Sequence, residues 1–300
     1  RAQWRMVRYL RRFAADGFGI DAVVHGDTLS TLLGAVAARF ARARVLHVES
    51  GLSSGRLFTP FPEELIRRIV FRFTDVAFCP DASASARMQP FACEVVCTEG
   101  NTIVDAVEVA VPASGAAVSA GRHVVASIHR FENIFAAARF DRILDMLERI
   151  AATRDVYFVL HPATRKRLLE SGRLDSLQSL PGMHLTPRLG YGDFIRLAAS
   201  SACVVTDGGS NQEELATLGV PSVIMRTATE RADGLGANAI METEIGGPID
   251  AWFERGEYER LRRPRAQPRA IGPSESIAAW IERNAPVPRG IPCNRETDRP

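Results

Sequence analysis

Short runs of consecutive apolar residues alternate with helical patterns along most of the chain. The runs include DAVVHGD, RVLHVES, VYFVLH and CVVTD. Between them apolar residues recur at helical spacing, as in the stripe between Phe140 and Ile150. Continuous apolar strands that alternate with helices are typical of parallel sheets covered on both faces, so the pattern predicts an α/β fold.

A loop of small residues, VPASGAAVSAG at 111–121, separates two such patterns. Domain boundaries fall in linkers that few contacts cross. We therefore predict a first domain over 1–112 and a second over 113–285. The segment 286–300 is rich in proline and arginine and is predicted to form a loose tail.

The charge and composition of the chain argue against some classes of protein function. Lys plus Arg is 37 and Asp plus Glu is 35, so the net charge is +2. That balance argues against a dedicated nucleic-acid-binding protein. The arginine-rich stretch 260–265 is interpreted as solvated surface rather than an anion-binding patch. No apolar run is long enough to cross a bilayer, which argues against a membrane protein.

The five cysteines show no CxxC spacing. A disulfide framework is an unusual feature in a chain of this length, and a metal site at Cys93 and Cys97 lacks further ligands in the sequence. Buried or half-buried thiols in a reducing compartment are the simpler interpretation.

Two predicted strands each end in an acidic residue, Asp27 in VVHGD and Glu49 in VLHVE. In open α/β sheets the ligand crevice lies outside the carboxyl ends of the strands. A single crossover helix joins the two strands, so we expect both carboxylates at one crevice. For Asp27 alone, capping of the following helix is an equally good explanation.

A third polar cluster follows the strand HVVASIH, where His129 and Arg130 precede Glu132 and Asn133. A lone histidine is usually structural. A histidine at a strand end, beside an arginine and facing the expected cleft, is a candidate acid or base.

The segment 203–231 indicates an anion site. A strand ends at Asp207, and Gly208, Gly209 and Ser210 then open a helix whose backbone N–H groups could hold a diphosphate. Glu214 is placed to accept hydrogen bonds from a ribose, with a role in helix capping as the alternative. Arg231 follows the next strand and could pair with a phosphate. Neither a GxGxxG pattern nor a GxxxxGK[ST] loop is found, which disfavours nicotinamide enzymes and P-loop ATPases.

Together these segments resemble the UDP-N-acetylglucosamine 2-epimerase family in its non-hydrolysing form. The resemblance extends to about residue 283. It is carried by HGDT (25–28), HVESGL (47–52), PEELIRR (62–68), GNTIVDA (100–106), HRFEN (129–133), DGGSNQEE (207–214), LGVP (218–221) and TERADG (229–234).

The resemblance implies two Rossmann-like domains of the glycosyltransferase-B type, with the nucleotide sugar in their cleft. It also implies a cytoplasmic homodimer that needs no metal or other cofactor, and no nucleic-acid or membrane partner. The implied catalytic groups are Asp27, Glu49, Glu63 and His129. The implied contacts to the UDP-sugar are Arg130, Gly208, Gly209, Ser210, Glu214 and Arg231. His161 matches a histidine that in bacterial relatives touches a second, activating UDP-sugar.

The chain departs from the family pattern at two motifs. Relatives usually read HRREN followed by glycine, whereas here Phe131 replaces the second arginine and Phe135 stands near the glycine position. Relatives usually read DSGG, whereas DGGS moves the hydroxyl to Ser210. Family chains also begin with further β-α units before the position of Arg1, so the first domain is expected to lack its initial β-α units.

Three other functions fit the same motifs. A hydrolysing 2-epimerase would release UDP and free N-acetylmannosamine from the same fold. In a glycosyltransferase of this architecture, the paired acids Asp27 and Glu49 would have less of a functional role. A catalytically inactive UDP-sugar-binding protein is the alternative from a different class, and Phe131 keeps it open.

Overall fold

In the computed structural model the described residues are 19–53, 55, 62–112, 121–227, 229 and 233–286, with residues 5, 7–9, 11 and 12. The chain divides into two compact units. The first comprises Arg1–Thr102 and Ile271–Pro300, and the second comprises Ile103–Ala270. Each unit is built on one parallel sheet with flanking helices, so the predicted α/β architecture is confirmed.

The sheet of the first unit has the strand order β1-β2-β3-β4. Its strands are β1 (Asp21–His25), β2 (Arg44–Val48), β3 (Val76–Cys79) and β4 (Glu94–Cys97). The helices with described bounds in this unit are Leu29–Phe40, Glu63–Phe71, Ala82–Met88 and Pro273–Arg283, and the described residues between 5 and 12 are also helical. Every neighbouring pair of strands is parallel, which the crossover helices between them require.

The sheet of the second unit has the order β10-β9-β8-β5-β6-β7. Its strands are β5 (Val124–Ser127), β6 (Val156–Leu160), β7 (Met183–Pro187), β8 (Cys203–Thr206), β9 (Ser222–Ile224) and β10 (Ala239–Met241). Its α-helices are Ile103–Ala110, Phe131–Ile134, Ala137–Ala151, Pro162–Glu170, Leu174–Gln178, Tyr191–Ala199, Gly209–Leu218 and Ile249–Glu254. Two 3₁₀ helices, Glu242–Glu244 and Glu257–Leu261, complete it.

The apolar stripe predicted between Phe140 and Ile150 lies on the helix Ala137–Ala151 and is buried against the second sheet. The strands β3 and β8 are buried along their whole length. Burial on both faces explains why these strands read as unbroken apolar runs rather than as alternating ones.

The bounds of the two units differ from the predicted domains over 1–112 and 113–285. The helix Ile103–Ala110 packs in the second unit, where Val107 and Ala110 join a cluster with Ile195 and Leu215. Near the other end of the chain, Ile277 and Trp280 pack against the first sheet. Both segments are held in their units by the packing of their apolar faces, whereas the predicted bounds rested on the composition of the loop at 111–121.

Several predicted features lie outside the described residues. They are the loop at 113–120, most of the tail at 286–300, and parts of the first helical pattern at 3–14. Among the described residues, no helix is both long and apolar enough to cross a bilayer.

Candidate functional site

The acids Asp27 and Glu49 directly follow neighbouring strands. β1 and β2 run parallel with His25 opposite Val48, and the backbone N–H of Gly26 donates to the carbonyl of Val48 at 3.1 Å. The carboxyl ends of both strands therefore meet at one edge of the first sheet. This confirms the expectation that one crossover helix brings the two strand ends together.

Capping does not explain Asp27. The helix Leu29–Phe40 is capped by Thr28, whose hydroxyl accepts from the backbone N–H of Thr31 at 3.4 Å. The carboxylate of Asp27 is instead paired with Arg67, which lies in the helix Glu63–Phe71. Asp27 is thus held by a cation and keeps a quarter of its side chain exposed.

Arg67 joins Asp27 to a second, fully buried acid. Its Nη1 donates to Glu64 Oε2 at 2.9 Å, and the side chain of Glu64 has no exposed surface. The other oxygen of Glu64 accepts from Ser53 Oγ at 2.5 Å and from Arg68 Nε at 3.0 Å. A buried carboxylate is tolerable only with such partners, so this network fixes the helix against the end of β1.

Glu49 adopts a backbone conformation that is unfavourable for its residue type. Its φ is +61°, in the left-handed region, and the following turn contains Gly51 at φ +79°. A Cβ at Gly51 would lie 2.2 Å from the carbonyl oxygen of Ala84. Non-glycine residues held in this region are concentrated at functional sites, which supports a role for the Glu49 side chain.

Two histidines frame these acids. Nε2 of His25 lies 3.0 Å from Glu49 Oε1. His47 is wholly buried, and burial lowers its pKa to about 4, so it is neutral near pH 7. Its Nε2 lies 2.9 Å from the carbonyl oxygen of Gly26. Because a carbonyl can only accept, Nε2 carries the proton and holds the loop that leads to Asp27.

Glu63, the third predicted acid, is the first residue of the helix Glu63–Phe71 and is half-buried. Its Oε2 atom is buried and has no hydrogen-bond partner among the described residues. A buried polar atom without a partner is uncommon and is expected where a ligand supplies the missing group.

In the second unit, Asp207 organises the end of β5. Its buried carboxylate accepts hydrogen bonds from the backbone N–H groups of His129, at 3.0 Å, and Arg130, at 2.9 Å. It also accepts from Asn133 Nδ2 at 2.9 Å and lies 3.1 Å from His129 Nδ1. The carboxyl end of β8 therefore holds the polar cluster that follows β5.

Two opposing effects act on the pKa of Asp207. Burial on its own raises it, but the hydrogen bonds and charge of His129, with those of Asn133 and Arg130, outweigh burial and lower the pKa. Asp207 is therefore ionised near neutral pH, and its charge is directed at His129.

The predicted anion site is the start of the helix Gly209–Leu218. Gly208 is its N-cap, and a Cβ there would lie 2.4 Å from Asn211 Oδ1. Gly208 is buried, whereas Ser210 is exposed. The backbone N–H of Gly208 donates to Thr206 Oγ1 at 3.1 Å, and the small residues at this helix start leave room for an anion to approach the backbone.

Glu214 lies beyond the first turn of this helix, so the capping explanation is wrong. Its side chain is almost completely buried, and burial raises its pKa to about 7. The raised pKa favours the neutral form of Glu214, whose OH group can donate, at a higher pH than for an ordinary carboxyl group.

The ring of His161 lies beside that of His129, with 5.4 Å between their centroids. Burial, followed by the charges of His129 and Arg188, lowers the pKa of His161. Its Nδ1 atom is buried without a hydrogen-bond partner among the described residues. The structure thus places His161 at the same strand-end edge as the other candidate residues of this unit.

The sequence analysis did not find every residue of the site. One residue that it did name lies outside the described residues. Arg67 and Glu64 lie in the motif PEELIRR, but nothing in the sequence showed that Arg67 forms ion pairs with both Glu64 and Asp27. Asn133 was not expected to bind Asp207. Arg231 lies outside the described residues. Among the described residues, no group of three His, Cys, Asp or Glu side chains could hold a metal ion.

Comparison with known proteins agrees with this arrangement. The family model described as UDP-N-acetylglucosamine 2-epimerase matches residues 18–245, well over half of the chain. The chain belongs to this family.

The UDP-N-acetylglucosamine 2-epimerase of Bacillus subtilis is 31% identical over 234 residues, which are 73% of this chain and 59% of that protein. This chain therefore spans about three fifths of the length of that curated relative. The Methanocaldococcus jannaschii UDP-GlcNAc 2-epimerase, solved in complex with UDP-GlcNAc and UDP, is 25% identical with a TM-score of 0.72 and covers 94% of this chain and 80% of its own. The Neisseria meningitidis enzyme bound to UDP-GlcNAc is 25% identical with a TM-score of 0.72, over 94% and 81%.

Phe131 and Phe135 lie at the positions where the sequence departs from the expected motif of this 2-epimerase family. The rings of Phe131 and Phe135 are stacked, with 4.6 Å between centroids, and both side chains are exposed. The neighbouring Arg130 lies 3.5 Å from Glu132. An aromatic pair therefore stands where the family resemblance led us to expect a cation and a nearby glycine.

Proposed function

We propose that this protein interconverts UDP-N-acetylglucosamine and UDP-N-acetylmannosamine by inverting C2 of the sugar. The observation that carries the proposal is the pair of acids Asp27 and Glu49 at neighbouring strand ends, one held by Arg67 and the other on a left-handed backbone. Membership of the family and the likeness to the UDP-GlcNAc complex support it.

The chemistry explains the need for several carboxylates. The C2 hydrogen of a sugar is a weak acid and becomes removable only as the C1–O bond to UDP breaks. A base takes the C2 proton while UDP leaves C1, which gives a glycal. UDP then returns to C1 as an acid delivers a proton to the opposite face of C2. We assign these proton transfers to Asp27, Glu49 and Glu63, each worth about 10²–10⁴-fold in rate.

The second unit supplies the groups for UDP in this proposal. The backbone N–H groups at Gly208, Gly209 and Ser210 hold the diphosphate, with the helix dipole behind them. His129 assists there, because the carboxylate of Asp207 accepts from its backbone N–H and lies 3.1 Å from its Nδ1, which fixes the ring. Developing negative charge on the departing diphosphate is what such groups stabilise best.

The remaining contacts to UDP are assigned from the resemblance to the 2-epimerase family. Glu214 accepts hydrogen bonds from the ribose, Arg130 contacts the substrate, and Arg231 pairs with a phosphate. His161 contacts a second, activating UDP-sugar.

We also propose a compartment, an oligomeric state and a biosynthetic role for the enzyme. We place it in the cytoplasm as a homodimer that supplies a nucleotide sugar for cell-surface polysaccharide. The thiols of Cys79, Cys93, Cys97 and Cys203 form no disulfide, which suits a reducing compartment.

Proton NMR in D₂O tests the reaction. The full chain is incubated with UDP-N-acetylglucosamine, and the sugar signals are followed with time. We expect UDP-N-acetylmannosamine to appear with deuterium at C2. Epimer without deuterium would contradict the proton loss and return at C2.

Two further outcomes would replace the proposal by an alternative. Free N-acetylmannosamine with UDP indicates a hydrolysing 2-epimerase. Bound UDP with unchanged sugar indicates a binding protein or a transferase, and adding an acceptor sugar separates those two.

A further inference from the structure

A cavity of about 460 Å³ lies in the second unit, away from the carboxyl ends of its strands. It is lined by Gly121, Arg122, Arg154, Ala202, Tyr258, Glu259 and Arg262, and we call it the arginine pocket. Arg122 precedes β5, Arg154 precedes β6 and Ala202 precedes β8. Because these strands are parallel, the pocket lies at the sheet edge opposite Asp207 and the helix start at Gly209.

Two of its arginines are held in place by neutral oxygen atoms. Arg154 Nη1 donates to the hydroxyl of Tyr258 at 3.0 Å, and its Nη2 donates to the carbonyl of Phe253 at 3.3 Å. Arg262 Nη2 donates to the carbonyls of Ser201 and Ala202 at 2.7 and 2.9 Å. These contacts orient both guanidinium groups, but carbonyl and hydroxyl oxygens do not neutralise their charge.

Positive charge is in excess in the arginine pocket. Arg122 has no hydrogen-bond or ion-pair partner among the described residues, and Arg154 and Arg262 form no ion pair among them. Glu259 is the one acid in the lining, so three cations face one carboxylate. Burial lowers the pKa of Arg262, which shows that its cation is poorly solvated. A partly buried cation without an anion is costly.

The arginine-rich stretch 260–265 was interpreted as solvated surface, and Arg262 departs from that. It is half-buried, and its hydrogen bonds fix it towards the cavity rather than towards bulk water.

We propose that the arginine pocket binds a small organic phosphate. The excess of cations matches the charge of about −2 that a phosphate ester carries at pH 7. Guanidinium groups bind phosphate through two parallel hydrogen bonds, and two of those here are already oriented. A cavity of about 460 Å³ falls in the range that small-molecule sites occupy and has room for more than the phosphate.

The Tyr258 ring offers no free face for a nucleobase, so a sugar phosphate fits better than a nucleotide. The guanidinium of Arg154 lies over that ring at 5.1 Å, and the rings of Trp252 and Phe253 pack around it.

Titration calorimetry with glucose 6-phosphate tests the proposal on the full chain. Arg122→Glu reverses one charge of the pocket at an exposed residue without a structural partner. Arg142→Glu makes the same charge change at an exposed residue of the helix Ala137–Ala151, outside the lining. We expect a Kd of about 1 mM or tighter for the unaltered chain. We expect Arg122→Glu to weaken binding by at least about tenfold and Arg142→Glu to leave it nearly unchanged.

Arg262→Lys provides a second variant that keeps the charge but loses the planar fork. Weaker binding in that variant supports the proposal as well. Absence of binding to the unaltered chain overturns it, and so does equal binding by the Arg122→Glu and Arg142→Glu variants. Inorganic phosphate serves as the comparison ligand, and equally tight binding of it would overturn recognition of an organic group.

Discussion

Asp207 holds His129 by two of its atoms. Its carboxylate accepts from the backbone N–H of His129 at 3.0 Å and lies 3.1 Å from Nδ1 of the same residue. The carboxylate therefore favours the form of the ring with a proton on Nδ1. That leaves Nε2 available to a ligand, which is the arrangement an acid or base needs.

Replacing Asp207 by Asn should cost both stability and activity. An amide cannot accept all the hydrogen bonds that the buried carboxylate now accepts, so we expect a loss of about 3 kcal/mol in the free energy of unfolding. Turnover should fall by about 100-fold because the ring of His129 loses its orientation. Urea unfolding and a coupled UDP assay measure the two effects.

The same substitution should change the response to acid. The pKa of Asp207 is lowered in the folded state, so its contribution is fully present above the ordinary carboxyl value of about 3.9 and is lost as the pH falls below it. The stability of Asp207→Asn should therefore fall less steeply below about pH 4 than that of the unaltered chain. Parallel curves would show that Asp207 is not held as an anion.

Glu214 should affect the pH dependence of stability in the direction opposite to that of Asp207. Burial raises its pKa from 4.5 to about 7, so the folded state binds a proton that the unfolded state has released. Stability from this group is full below about pH 4.5 and is lost as the pH rises through about 7. Above pH 7 we expect Glu214→Gln to be more stable than the unaltered chain, by as much as about 3 kcal/mol.

Urea unfolding at pH 5 and pH 8 measures this effect. Glu132→Gln is the control, because the side chain of Glu132 is exposed and should show the same stability change at both values. A Glu214→Gln variant with no gain at pH 8 would show that the carboxylate is better solvated than its burial indicates.

Arg67→Met should be strongly destabilising. It removes a cation from the fully buried Glu64, which keeps its hydrogen bonds from Ser53 and Arg68, and it removes the ion pair of Asp27. We expect a loss of about 3 kcal/mol in the free energy of unfolding. The double variant Arg67→Met with Glu64→Gln should recover part of that loss, because it removes the buried negative charge that Arg67 no longer balances.

Chemical denaturation of the two variants tests this ion-pair network. The control is Arg72→Met, at an exposed position one turn further along, which should change stability by no more than about 0.5 kcal/mol. A double variant as unstable as Arg67→Met would mean that the contacts of the Arg67 side chain, rather than its charge, support the helix.

At position 49 we expect the backbone to favour glycine, whereas the proposed proton transfer requires glutamate. Both Glu49→Gln and Glu49→Gly remove the proposed acid or base, so turnover should be lost in both while UDP binding remains. Because φ is +61°, Glu49→Gly should be more stable than Glu49→Gln by about 1 kcal/mol. At Glu282, in the helix Pro273–Arg283, the same pair should show the reverse order.

Thermal unfolding with a turnover assay distinguishes these expectations. If the glutamine variant at position 49 turned over normally, the assigned role of Glu49 would be wrong. If the glycine variant were the less stable one, the strain at this residue would be absent.

The sequence predicted the parallel strands, and it located the acids at their ends, because unbroken apolar runs and crossover helices leave few alternatives. It could not predict how the acids are held. The ion pair between Asp27 and Arg67 joins residues 40 positions apart, and only the packing of a helix on the sheet brings them together.

Helices with weak or short apolar patterns were also missed. Ala82–Met88 and Pro162–Glu170 were not predicted, because alanine-rich and charged segments carry little apolar periodicity. The placement of Pro273–Arg283 on the first sheet depends on the packing of Ile277 and Trp280 on an apolar surface that lies roughly 200 residues earlier in the chain, and no local pattern reveals such a partner.

That long-range placement affects how the protein emerges from the ribosome. Leu46, Val48 and Phe78 are synthesised early, yet Ile277 and Trp280, which cover them, are among the last described residues to be translated. Trp280 also donates a hydrogen bond to Glu94 at 3.0 Å. The first sheet must therefore wait, with part of its apolar face uncovered, until the helix Pro273–Arg283 has been made. During that interval it is a natural client for chaperones.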